Sequence, residues 1–134
     1  MRKMNILLLV LICLQIASCG SKPYKENRYN LPFKKNISII KAYYSRGRSE
    51  AVKVFIDSSS IKQRLVSYSL HSTMDFPFCI SSRGDSLIFA YPNDRAILKV
   101  NEEVESKYRV RFEFVESDAF WMNSDNKRCF LIRE

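Results

Sequence analysis

Glycine is scarce in this chain, with three among 134 residues, too few to build a glycine-rich loop around a phosphate. Four prolines and the lack of any repeat exclude collagen-like and low-complexity readings. Histidine occurs once, as His71, so no histidine pair exists to hold a metal, and no Cys-x-x-Cys is present either. A Ser-His-Asp set lacks its usual setting, because no Gly-x-Ser-x-Gly occurs; His71 sits in a serine run and reads as a surface residue or one satisfied within the fold. No apolar run reaches the roughly 20 residues a spanning helix needs. The length allows one domain and excludes a barrel of eight βα units.

What is present describes a folded body. Hydrophobic residues make up 46% and charged residues 27%, as in globular proteins. The net charge of +8 suggests nucleic acid at first sight. Its distribution points elsewhere. Gly20 to Arg48 holds eight bases against the single acid Glu26, a local charge of +7, and Ser49 to Glu134 is near neutrality at −1. The remaining +2 comes from Arg2 and Lys3.

Those two bases precede an apolar stretch, Ile6 to Ile12, extended by Leu14, Ile16 and Ala17. A short positive region followed by an apolar core of this length reads as a signal peptide. It ends in Ile16-Ala17-Ser18-Cys19: aliphatic, small, small, cysteine. This tetrad resembles the lipobox of bacterial lipoproteins. The resemblance covers the first nineteen residues only and implies cleavage before Cys19 and a covalent lipid on its sulfur; no other cofactor is expected. The alternatives are an ordinary secretory signal or a membrane anchor. With Gly20 rather than Asp after the cysteine, the resemblance also implies the outer membrane, facing the periplasm, if the source is Gram-negative. Residues 1–18 are then the signal peptide, 19–35 a basic flexible tether, and 36–134 one β-rich domain.

The basic stretch beside such an anchor suits a membrane surface, where each Lys or Arg adds about 1 kcal/mol near anionic lipid. Lys22, Lys25, Arg28, Lys34 and Lys35 are the candidate contacts, with Tyr24, Tyr29 and Phe33 interleaved. A solvated, self-repelling linker is the alternative. An envelope address argues against nucleic acid as a partner. Cys13 leaves with the signal peptide, so Cys79 and Cys129 remain, and an even pair in an oxidising compartment reads as one disulfide; two buried thiols are the alternative.

The body reads as mainly β: a small antiparallel sandwich or partly closed barrel of seven or eight strands. Tyr108, Val110, Phe112 and Phe114 alternate with charges, and Val52, Val54 and Ile56 with Lys53, Phe55 and Asp57. Pro92-Asn93-Asp94 and Ser82-Arg83-Gly84-Asp85 read as turns. They predict a meander of four strands from Phe76 to Val115, with Asn101 to Ser106 as an acidic link. The disulfide is expected to join its first strand to a last strand, Phe130 to Ile132. Ser60 and Gln63 resemble a capping box and suggest a short helix near 59–64. Arg83-Gly84-Asp85 is also the tripeptide integrins bind, but here reads as turn chemistry. Glu102, Glu103 and Glu105 read as a solvated acidic loop more readily than as a catalytic pair.

Ser117 to Asp125 carries Phe120, Trp121 and Met122 between polar clusters. Aromatic and Met side chains are enriched at interfaces, which makes these three the candidate partner-binding residues; a buried strand or a lid over the sandwich is the alternative. The expectation is a membrane-anchored, non-enzymatic protein-binding module with an envelope protein as partner, either an accessory subunit of an envelope machine or an inhibitor or immunity protein. A lipid or glycan carrier with an aromatic-lined cavity is the second reading, and a carboxylate-based hydrolase the third.

Overall fold

The computed structural model describes residues 22–46, 49–69, 76–94 and 96–133. The stretch expected to be a signal peptide, Cys19 and His71 lie outside the described residues. The chain forms a β-sandwich. Its strands are β1 (Lys25–Asn30), β2 (Ile37–Arg46), β3 (Ser49–Ser58), β4 (Ile61–Ser69), β5 (Phe78–Arg83), β6 (Ser86–Tyr91), β7 (Ile97–Val100), β8 (Val110–Phe114) and β9 (Phe130–Ile132). Among the described residues two helices join them, α1 (Glu102–Tyr108) and α2 (Ser117–Asp125). The first sheet has the order β1-β2-β3-β4-β7 and the second β8-β6-β5-β9; they do not close into a barrel.

Alternation builds the first sheet. Ile39 and Tyr43 on β2, Val52, Val54 and Ile56 on β3, and Val66 and Tyr68 on β4 all turn inward and are buried. They meet Phe78 and Ile80 of β5 and Leu87 and Phe89 of β6, with Phe78 and Phe89 stacked at 4.3 Å. Lys41 is the exception in this interior: it is 0% exposed, its Nζ donates to the Phe76 carbonyl at 3.0 Å, and it lies 5.5 Å from the Tyr43 ring centre. A buried amine needs such partners to offset its lost hydration.

The turns show how a glycine-poor chain reverses direction. Ser59 and Ser60 both adopt positive φ, +52° and +67°, and join β3 to β4. Two such residues make the tight turn whose twist matches a hairpin, usually on Asn-Gly. No helix forms near 59–64, contrary to expectation; the capping-box pattern belongs to this turn and to the start of β4. Between β5 and β6, Gly84 takes φ +61° and serves the turn role expected of Arg83-Gly84-Asp85.

Three further expectations are corrected. The meander from Phe76 to Val115 does not form. The β5–β6 hairpin does, but after Pro92 the chain crosses to the other sheet, where β7 pairs with β4. It then returns through α1 to lay β8 parallel to β6. A parallel pair requires such a crossover, and alternation looks the same whether a strand faces its neighbour or the opposite sheet. The acidic link is the helix α1. Asn101 Oδ1 accepts from the Glu103 N–H at 3.2 Å, the three glutamates occupy the first turn, and Val104 is buried. Finally, the stretch 19–35 is not all tether: Lys25–Asn30 is an edge strand, registered on β2 from Lys25↔Tyr43 to Asn30↔Ser38. Tyr29 anchors it across the sandwich, its hydroxyl donating to the Arg133 carbonyl and its ring edge-on to Phe130.

Candidate functional site

The outer face of the second sheet is covered by α2. The sequence around it has little amphipathic periodicity, and no side chain caps its N-terminus. Other contacts hold it. Phe120 is buried and lines one cleft with Ile88 and Ala90 of β6, and the Trp121 ring stands edge-on to it at 5.2 Å. At its end, the Lys127 N–H reaches the Ser124 carbonyl at 3.2 Å and the Arg128 N–H reaches that of Asn123 at 3.1 Å. That bonding pattern normally places glycine at the left-handed position; here Lys127 holds it with φ +56°. Cys129 follows immediately and stands at disulfide distance from Cys79 of β5, with Cα atoms 5.5 Å apart. So α2 is fixed from beneath by Phe120 and at its exit by the disulfide, which joins β5 to the start of β9 as expected.

The three candidate partner-binding residues are therefore divided. Phe120 points inward as the anchor, Trp121 is half-buried, and Met122 is 65% exposed. The segment is neither a strand nor a loop but a short helix with two of the three side chains available. Beside its exit lies a groove of about 490 Å³. Pro32, Phe33, Phe130 and Leu131 give it apolar walls, Ser81 and Ser82 add hydroxyls, and Lys127 and Arg128 stand on its rim.

The candidate membrane contacts are not gathered in one patch. Lys22 and Lys25 precede or open β1, whereas Lys34 and Lys35 lie in the turn after it, about 20 Å away along an extended strand. Arg28 is paired with Asp57 at 2.7 Å, and Lys25 lies 5.2 Å from the Tyr43 ring centre. Another basic surface, not singled out from the sequence, is the outer face of the first sheet. Arg28, Lys53, Lys62, Arg64 and Lys99 share it with Glu26 and Asp57, as the strand registers require. Their long side chains lie over apolar residues: Lys53 over Tyr44, and Lys62 over Phe55 on its way to Glu26 at 2.6 Å. The signal for it was present, since these cations occupy alternate, outward positions of their strands.

Among the described residues, no group of three or more His, Cys, Asp or Glu is placed to hold a metal ion. Glu102, Glu103 and Glu105 are engaged with the start of α1. Asp85 makes a loose contact with Arg109 at 3.5 Å on an exposed turn. No helix among the described residues is long and apolar enough to cross a membrane. No protein-family model matches this chain, and no curated protein or solved structure is similar to it.

Proposed function

We propose that this chain is a lipid-anchored envelope protein whose β-sandwich binds a protein partner through α2 and acts without catalysing a reaction. The observation that carries this reading is the mounting of α2. A helix fixed by a buried Phe120 and by the Cys79–Cys129 pair presents half-buried Trp121 and exposed Met122 on a rigid base. A Trp ring on a fixed base loses little freedom on binding and is among the side chains that dominate interface energetics, and Met adds an adaptable apolar contact. The filling of the space between the sheets by Phe76, Phe78, Phe89 and their neighbours favours a protein binder over a carrier with an internal cavity. The Ile16-Ala17-Ser18-Cys19 tetrad supports the lipid anchor, and the bases from Lys22 to Lys35 support its contact with an anionic surface.

The test uses membranes containing the full chain. Trp121→Ala and Met122→Ala together are expected to abolish crosslinking to the partner recovered with the native protein, while circular dichroism still shows a folded chain. Equal crosslinking by the folded double variant would remove α2 from the reading. Palmitate labelling that persists in Cys19→Ala would remove the anchor.

A further inference from the structure

Among the described residues, one edge of the second sheet is unpaired, and its accessibility rises along the strand from buried Val110 (5%) through half-buried Phe112 to exposed Phe114. Strand β8 is an edge strand with β6 on one side only. The Leu87 N–H donates to the Arg109 carbonyl at 3.1 Å and the Val115 N–H to the Tyr91 carbonyl at 3.0 Å. These bonds fix the phase of the strand. Arg111 and Glu113 turn their backbone groups toward β6, and Val110, Phe112 and Phe114 turn theirs outward. Among the described residues, no backbone hydrogen bond reaches those outward groups. The other edges are guarded in the ways proteins usually guard them: β1 carries Lys25, Glu26 and Arg28, β7 has four residues and β9 has three. On β8 the terminal Phe114 is 48% exposed.

The side chains of β8 are self-complementary. Val110, Phe112 and Phe114 share the inner face, and Arg111 and Glu113 the outer one. Consider a second copy of the strand laid antiparallel about a two-fold axis at Phe112. Val110 then faces the other copy's Phe114, Phe112 faces Phe112, and Arg111 faces Glu113 twice over. The same register sets outward-pointing backbone groups against outward-pointing ones at Val110, Phe112 and Phe114, as hydrogen-bonded antiparallel pairs require. Sliding by one step of that pattern in either direction opposes Arg111 to Arg111 or Glu113 to Glu113, and like charges directly opposite are unfavourable. Arg83 stands 3.8 Å from the Glu113 carboxylate and leaves it 40% exposed, within reach of a second cation.

We infer that β8 is a contact between two copies of this chain, which pair antiparallel about Phe112 into one sheet running through both molecules. A two-fold contact of this kind is closed: it yields a dimer and no longer assembly. The inference does not depend on what α2 binds.

The experiment is sedimentation of the full chain in detergent. The native chain should form a dimer. Arg111→Glu and Glu113→Arg should each weaken it by about tenfold or more, because each variant opposes like charges at both outer pairs. An equimolar mixture of the two single variants should recover the dimer as a heterodimer, since each supplies the charge the other lacks. That recovery also shows that both variants are folded. A native chain that is monomeric at every concentration reached would overturn the inference. So would single variants that dimerise like the native chain, or a mixture no better than its components.

Discussion

The two sheets of this sandwich are held together in different ways. In the first, β1 to β4 pair in the order they occur in the chain, and only β7 arrives from a distance. Its outer face is covered by its own long charged side chains, with Arg28–Asp57 and Lys62–Glu26 spanning neighbouring strands. In the second, no neighbours but β5 and β6 follow each other in sequence, and the outer face is covered by a separate helix and a disulfide. Local pairing supplies its own register through tight turns. Non-local pairing needs external ties, and here those ties also form the candidate recognition surface.

The contrast can be broken most strongly at the disulfide. Closing a loop over a sequence separation of 50 restricts the unfolded chain by about 4 kcal/mol. Cys129→Ala should therefore lower stability by up to about that amount. Amide exchange should accelerate first in α2, β9 and β5, with β2 and β3 retaining protection. Uniform acceleration across both sheets would show that they unfold as a unit. Next comes Phe120→Ala, expected to cost about 3 kcal/mol in denaturant titration, because a fully buried ring leaves a cavity beneath α2. A loss well below 1 kcal/mol would mean that the disulfide alone holds the helix. Opposite in sign, Ser60→Gly should stabilise the first sheet by about 1 kcal/mol, since Ser60 sits at φ +67°. An unchanged or lowered thermal midpoint would place the cost of that turn elsewhere. The smallest effect belongs to Arg28→Ala. Its guanidinium is about half exposed, so the pair with Asp57 should contribute no more than about 0.5 kcal/mol, diminishing with added salt.

The same contrast explains what was legible in the sequence. Strands of the first sheet could be read because alternation at Val52, Val54 and Ile56 records a face buried on one side. The β class and the sandwich follow from such local signals, and the cysteine pair from an even count in an expected oxidising compartment. Partnership between strands did not, because Leu98 and Val100 show the same alternation whether they meet β6 in a hairpin or cross to β4. The helix α1 carried readable signals in Asn101, its acidic first turn and Lys107, and the density of charge obscured them. The helix α2 carried almost none: it is fixed by one buried ring and a disulfide rather than by a stripe, and no periodicity reports that. At the candidate site the residue types were visible, but not their division into an anchor and a display. The edge pattern of β8 was in the sequence too, yet it acquires meaning only once the parallel pairing with β6 shows which backbone groups are left facing out.

The order of the strands also sets a timetable. As the chain emerges from its N-terminal end, β1 to β4 can pair as soon as each follows its neighbour, and their short-range contacts favour rapid formation. β5 and β6 can form a hairpin but nothing more. The rest of the second sheet waits, because β9, which flanks β5 on one side, follows every other strand in the chain. Until Cys129 arrives, Cys79 is a free thiol at the centre of an unfinished sheet. Folding of this molecule is therefore completed, and its helix fixed in place, only by the last strand to appear.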